Sequence, residues 1–168
     1  MPSAGTKVPT PPRTAPRTAT ARPAVVAWAA SRALVGAVWL AAALVHPRHG
    51  DGTGPARALL AWDGIWYARI AEDGYDEHAS LRFFPLLPML GRVVGALSPG
   101  GATLGLLVTA NLAALAYLVL LFRLTRRETG DDGAAGRAAW FAALAPGAAV
   151  LALPYTEALA GALAVGMF

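Results

Sequence analysis

Long apolar runs alternate with short polar segments along this chain, and the runs have the length of membrane-spanning helices. A helix that crosses the hydrocarbon layer needs about 20 consecutive, mostly uncharged residues. Three runs reach that length, and these are residues 24–45, 102–122 and 134–153. Arg32 interrupts the first, and a fourth run begins at Ala158 and reaches only Phe168. The pattern predicts an all-α, polytopic membrane protein with about three complete transmembrane helices and a truncated fourth.

The composition favours the same class of protein. Hydrophobic residues make up 56% of the chain and charged residues 14%, whereas an ordinary soluble domain has about 25% charged residues. We therefore expect membrane lipids around the protein and no nucleic-acid partner. The absence of cysteine excludes a disulfide framework and a thiolate metal site. The preference for arginine over lysine, with abundant alanine and glycine, suggests a bacterial source.

Basic residues predict how the chain is oriented in the membrane. Residues 1–23 are rich in proline and carry four cations but no acid, so we expect a disordered tail. A signal peptide would place a cleaved apolar run of about 7–15 residues after it, but the run at 24–45 is longer and is interpreted as an uncleaved span. The positive-inside rule puts this tail and the arginine-rich connection 123–133 in the cytoplasm. The loop 46–101 then lies outside, within a membrane domain formed by residues 24–168.

The external loop is expected to be structured and to contain interfacial helices. Asp63, Trp66, Tyr67 and Ile70 follow the i, i+3, i+4, i+7 spacing of one helix face, and Gly74 follows as a C-terminal cap. Tryptophan and tyrosine favour the membrane surface, so this helix is predicted to lie there.

A second apolar stretch of the loop, LRFFPLLPMLGRVVGAL at 81–97, contains Pro85 and Pro88. It fits an interfacial or re-entrant segment, or a short span. A true span would move the connection 123–133 to the outside, against the positive-inside rule. The stretch is therefore interpreted as interfacial.

Asp63 is the first candidate for chemistry, because it stands beside Trp62 on the predicted aromatic face. A structural interpretation makes it the N-cap of the helix, a position that Asp favours. A functional interpretation makes it a general base near the membrane surface. The two interpretations are compatible.

Other polar residues have simpler explanations. The acids Glu72, Asp73, Asp76 and Glu77 fit a solvated loop face; a metal site with His78 is an alternative, although no known metal loop has this spacing. His46, His49 and Asp51 are interpreted as interfacial polar residues rather than ligands. Asn111 is expected to form a helix-to-helix hydrogen bond. Pro146 is expected to kink the third span or to let it pack around a cavity.

Several motifs together resemble a known family. WDGIWYARIAEDGY at 62–75, followed by RFFPLLP at 82–88, resembles the WD, aromatic pair, IA, E, GY and FFP-x-x-P pattern of the PIG-V family, mannosyltransferases of the GT-C superfamily. Asn111 and the segment PYTEAL at 154–159 are similar to later motifs of that family, in the same order. The resemblance covers about residues 62–160. Each motif is short, but four of them in order are fairly specific.

The resemblance implies a multi-pass enzyme of the cell membrane with a GT-C-like fold. It would transfer mannose from a polyprenyl phosphate donor to an acceptor at the outer face; the acceptor and a divalent metal stay open, and no cofactor is firmly implied. GT-C enzymes place a catalytic acid in the first external loop, which matches Asp63, and Glu72 is the second catalytic candidate. The substrate-binding candidates are Trp62, Trp66, Tyr67, Tyr75, Arg82, Phe83, Phe84, Tyr155 and Glu157.

Two departures from the family pattern limit what the resemblance implies. Arg82 precedes FFP where the family more often has a small residue. Its candidacy for binding the leaving phosphate therefore rests on charge alone, as does that of Arg69 and Arg92. The chain is also shorter than the family, so we expect the rest of the site to be missing and this chain alone to be inactive. The alternative class is a non-catalytic membrane component, either a transporter piece or an assembly partner.

Overall fold

The structure, a computed structural model, describes residues 20–45 and 59–168, and the part described is all-helical without a strand. Six α-helices follow one another in the order α1 Arg22–Val45, α2 Asp63–Asp73, α3 Leu86–Ala96, α4 Gly101–Thr129, α5 Asp132–Leu144 and α6 Glu157–Gly166. Short 3₁₀ helices occupy His78–Arg82 and Ala148–Leu151. The all-α prediction is confirmed for these residues. The predictions for most of the tail 1–23 and for His46, His49 and Asp51 lie outside the described residues.

Helices α1 and α4 are long and apolar enough to cross a membrane. They pack antiparallel, because Ala24 and Ala27 at the start of α1 meet Leu118 and Phe122 towards the end of α4. Only 17% of the most apolar stretch of α1 and 39% of that of α4 are buried. Their remaining apolar surface therefore faces outward, unlike that of the core helix of a soluble protein.

The predicted third span, 134–153, does not form one continuous helix. Helix α5 ends at Leu144, and Ala145, its C-cap, has extended backbone angles immediately before Pro146. Proline lacks an N–H and restricts the residue before it to extended conformations, so the helix stops rather than kinks. The short 3₁₀ helix follows, and α6 then runs for 10 residues. Among the described residues, α1 and α4 are thus the two helices with the length of a span.

Helix α5 completes the bundle through a stripe of alanines. Ala135, Ala139 and Ala143 are spaced by four residues and are buried against α1 and α4. Such small side chains allow helix backbones to approach closely where the surroundings are apolar. Arg126 near the end of α4 pairs with Asp132 at 2.6 Å, so the basic connection lies at the end of the bundle where α1 begins.

Helix α3 lies against the start of α4 through glycines that pack backbone to backbone. Gly91 and Gly95 share one face of α3 and meet Gly105 of α4, where a Cβ atom on Gly105 would come 2.5 Å from the Gly95 nitrogen. The 11 residues of α3 are too few to cross a bilayer. Pro85 stands at its N-cap and Pro88 in its first turn, where proline costs a helix little. Both prolines are therefore compatible with a single short helix.

Candidate functional site

Asp63 is the first residue of α2 and follows a strained turn. The N-cap position belongs to Trp62, whose φ of 50° and ψ of −115° are unusual for a residue with a side chain. Within the described residues, no side-chain hydrogen bond caps this helix. The prediction that Asp63 is the N-cap is therefore wrong. Its carboxylate is exposed and lies beside the first-turn N–H groups, which favour negative charge.

The segment 154–157 packs onto this strained turn from about ninety positions further along the chain. The Tyr155 hydroxyl donates to the Ala61 carbonyl at 2.9 Å, one residue before Trp62. Pro154 lies against Gly64, where a Cβ atom would come 3.1 Å from the proline Cγ. Two of the motifs that carry the family resemblance thus form one site. A strained backbone conformation persists only where surrounding contacts hold it. The contacts of Pro154 and Tyr155 can hold the unusual φ of Trp62 in this way.

Two carboxylates and two phenols share this site. The Tyr67 hydroxyl lies 3.4 Å from the Thr156 hydroxyl. Burial raises the pKa of Tyr67, and the nearby charges of Asp63 and Glu157 add to that rise. Burial, Asp63 and Glu157 likewise raise the pKa of Tyr155. Both acids are therefore near enough to affect the pKa of both phenols, and the phenols stay protonated at neutral pH and can donate hydrogen bonds. We call Asp63, Tyr67, Tyr155, Thr156 and Glu157 the Asp63–Glu157 site.

An aromatic layer supports the side of α2 next to Asp63. Phe83 is buried, stacks on Trp66 with ring centroids 5.7 Å apart, and meets Tyr67 edge-on at 5.2 Å. The Tyr75 hydroxyl donates to the Phe83 carbonyl at 2.8 Å. Of the predicted substrate-binding aromatics, Phe83 and Tyr75 therefore have a supporting position. Trp62 and Phe84 are instead largely exposed.

The three arginines considered for phosphate binding differ in their partners. Arg69 pairs with Glu77. Arg92 donates from Nε to the Ala71 carbonyl at 2.7 Å and from Nη2 to the Ile70 carbonyl at 3.2 Å. Arg92 thereby caps the C-terminus of α2, because the last carbonyls of a helix have no hydrogen-bond donor within the helix. Arg82 lies over the rings of Trp66 and Phe83, at 5.5 and 5.2 Å from their centroids. Its guanidinium has no carboxylate partner in the described part of the chain, so it is the cation best placed to receive an anion.

Glu72, the second catalytic candidate, is not brought to the same place. Nine residues separate it from Asp63 on α2, which at about 3.6 residues per turn puts it on the opposite side of the helix. It is exposed. Glu157, predicted only as a substrate-binding residue, is the acid that shares the site with Asp63. Among the residues described, no group of three or more His, Asp or Glu is arranged to hold a metal ion.

Several residues of the site were not singled out from the sequence, although Gly64 and Thr156 lie within its motifs. Ala61 contributes a backbone carbonyl, Gly64 contributes space for Pro154, and Thr156 contributes a hydroxyl. The chain matches no protein-family model, no curated protein and no solved structure. The likeness to the PIG-V family therefore rests on the motifs themselves.

Proposed function

We propose that this chain forms the donor-side part of a GT-C type mannosyltransferase of the PIG-V kind, which uses a polyprenyl phosphate-linked mannose at the outer face of the cell membrane. One observation carries the proposal. WDGIWY and PYTE, two separate motifs of the resemblance, meet in the Asp63–Glu157 site and place an exposed carboxylate after a strained turn. Strained backbone clusters at functional sites.

The surface around the site suits the membrane interface. Helix α3 exposes an apolar face at the i, i+3, i+4, i+7, i+11 positions, formed by Leu86, Met89, Leu90, Val93 and Leu97. An exposed apolar face of this size favours contact with lipid. An uncleaved first span is part of the proposal, and Trp28 and Arg32 of α1 hydrogen-bond to Asn111 of α4.

The chemistry follows from these positions. Asp63 accepts the proton of the acceptor hydroxyl as that oxygen bonds to the anomeric carbon of mannose. The bond between this carbon and the phosphate oxygen breaks, and the electron pair leaves with the phosphate. Glu157 and Asp63 together stabilise the positive charge that develops on the sugar, as carboxylates do in glycoside hydrolysis.

Arg82 is assigned to the leaving phosphate. Guanidinium groups bind phosphate oxygens through paired, charge-assisted hydrogen bonds. Trp66, which lies one helical turn from Asp63 on the same side of α2, holds the Arg82 guanidinium over its ring. The phosphate and the reacting hydroxyl can then occupy neighbouring places on one surface.

Donor binding tests the proposal without requiring catalysis by this chain. The chain is reconstituted in phospholipid vesicles and irradiated with a polyprenyl phosphate mannose that carries a photoreactive group on the lipid next to the phosphate. We expect saturable labelling of peptides from residues 62–84 and 154–157, and competition by the unmodified donor. Arg82→Gln should weaken labelling, whereas Arg137→Gln, at the opposite end of the bundle, should not.

Two results would contradict the assignment. The first is labelling that does not saturate. The second is equal competition by a polyprenol that lacks both phosphate and mannose, which would favour the non-catalytic alternative. Labelling that is unchanged in Arg82→Gln would remove this arginine from the phosphate site.

A further inference from the structure

Arg32 and Asn111 form a hydrogen-bonded pair within the two long helices, outside the Asp63–Glu157 site. Arg32 Nε donates to the Asn111 Oδ1 atom at 2.7 Å, and its Nη1 donates to the Ser31 hydroxyl at 2.8 Å. The guanidinium also lies over the Trp28 ring, 5.6 Å from the centroid. No carboxylate pairs with Arg32 within the described residues. A cation in such a position needs a function that explains its cost.

Two backbone carbonyls of the chain after α5 receive the remaining hydrogen bonds of this pair. Arg32 Nη2 donates to the Leu151 carbonyl at 2.6 Å, and Asn111 Nδ2 donates to the Ala152 carbonyl at 3.3 Å. Leu151 is the last residue of the second 3₁₀ helix, and Ala152 is its C-cap. This short helix follows Pro146, before which α5 ends. Irregular backbone at membrane depth requires such partners.

The chain is short between these carbonyls and the Asp63–Glu157 site. Ala152 is three positions before Tyr155, and the intervening Pro154 is buried against Gly64. Few backbone torsions are therefore free to absorb a displacement. A shift of the carbonyls would move the Tyr155 hydroxyl away from Ala61 and would move Glu157 away from Asp63.

We infer that Arg32 and Asn111 are positioning residues. They hold the Leu151 and Ala152 carbonyls in place, so that residues 154–157 stay on the strained turn before Asp63. The predicted helix-to-helix hydrogen bond of Asn111 is confirmed by its bond to Arg32. Asn111 also contacts the Ala152 carbonyl, so it connects α1, α4 and the segment that carries the second half of the site. The inference extends the proposed function, because it names what keeps the two acids of that site together.

Engineered cysteines test this positioning directly, since the chain has none of its own. Tyr67→Cys with Thr156→Cys places thiols at two residues whose hydroxyls are now 3.4 Å apart, and a short bifunctional thiol reagent reports their proximity. The matched control is Pro23→Cys with Gly136→Cys, where a Cβ atom on residue 136 would lie 3.7 Å from the Pro23 Cβ. That separation suits a disulfide and reports the packing of α1 on α5.

Both reporter pairs are measured in the full chain, in vesicles, with Arg32→Met, which keeps an unbranched stem but removes the donors, and with Asn111→Leu. We expect cross-linking at 67–156 to slow about fivefold in either variant, the factor that one net hydrogen bond represents. The disulfide at 23–136 should form as in the parent chain.

Unchanged cross-linking at 67–156 would overturn the inference. A parallel loss of both reporters would overturn it as well, because the pair would then hold the whole bundle rather than this segment. Neither reporter depends on sugar transfer. A failure of donor labelling in the parent chain with a positive cross-linking result would therefore remove the proposed function and leave the positioning role intact.

Discussion

Adding a single methyl group at Gly105 should push α3 away from α4. A Cβ atom there would overlap the Gly91 carbonyl oxygen and would come 2.5 Å from the nitrogen and 2.8 Å from the Cα of Gly95. Ordinary contact begins at 3.4 Å, and the obstacles are backbone atoms that cannot rotate aside. Gly105→Ala therefore requires a movement of α3 by about 1 Å, in a packed interior that resists such changes.

The expected cost of Gly105→Ala follows from this overlap. Overpacking of a tight interface typically costs about 1–3 kcal/mol. Alanine's higher helix propensity returns at most about 1 kcal/mol of that. A moved α3 also draws Arg92 away from the carbonyls at the end of α2. We expect a net loss of roughly 1–2 kcal/mol in the free energy of unfolding, with disturbance of the aromatic layer beside Asp63.

Gly36→Ala provides the matched control, because Gly36 is also inside a helix but has nothing within 4 Å of an added Cβ. It should be neutral or stabilising by up to about 1 kcal/mol. Thermal unfolding in nanodiscs, followed by circular dichroism, measures both variants. For a chain of this size each kcal/mol shifts Tm by about 2–4 °C. A Gly105→Ala variant that melts at or above Gly36→Ala would refute the backbone-to-backbone packing.

Three further predictions follow from particular contacts. Trp62→Gly should be more stable than Trp62→Ala, the reverse of the usual order, because only glycine adopts a φ of 50° without strain; equal melting temperatures would remove the strain. Because the folded chain raises the pKa of Tyr67 and Tyr155, these phenols ionise near pH 10 only in the unfolded chain. Their contribution to stability should thus be constant below that pH and decline above it, and the double replacement by Phe should flatten the decline. Ser80 is buried, so its exposed neighbour Ala79 carries the label for the loop. Single cysteines at Ala79 and Thr129 should react with an impermeant reagent from outside only at 79; reaction from outside at 129 would contradict the predicted orientation.

The sequence predicted those parts of the fold that depend on local pattern. Helix α2 has the expected residues and ends at Gly74, whose φ of 93° suits glycine. The start of α4 and the short apolar helix α3 were also predicted, because apolar run length and capping signals act locally. The third span was mispredicted, since hydrophobicity alone could not show that Pro146 ends the helix.

The site was predictable only in part, for a different physical reason. Motif residues on α2 identified Asp63, but the N-cap interpretation failed because the strained turn moved the cap to Trp62. That Glu157 rather than Glu72 shares the site with Asp63 depends on contacts between residues about ninety positions apart. Such contacts leave no trace in local periodicity. Arg82 and Arg92 can likewise be distinguished only from their neighbours. Arg82 lies over the Trp66 ring, whereas Arg92 donates to the Ala71 carbonyl.

The central claim is that Asp63 acts as the base in mannosyl transfer, and one rate measurement tests it. Transfer from polyprenyl phosphate mannose is measured per folded enzyme, in membranes, with this segment joined to the further helices that the family resemblance implies. Asp63→Asn should lower the rate by about 10² to 10⁴, the usual contribution of general acid–base catalysis, while insertion stays normal. Glu72→Gln, on the opposite side of α2, should stay within a few-fold of wild type. An active Asp63→Asn variant beside an inactive Glu72→Gln variant would contradict the account.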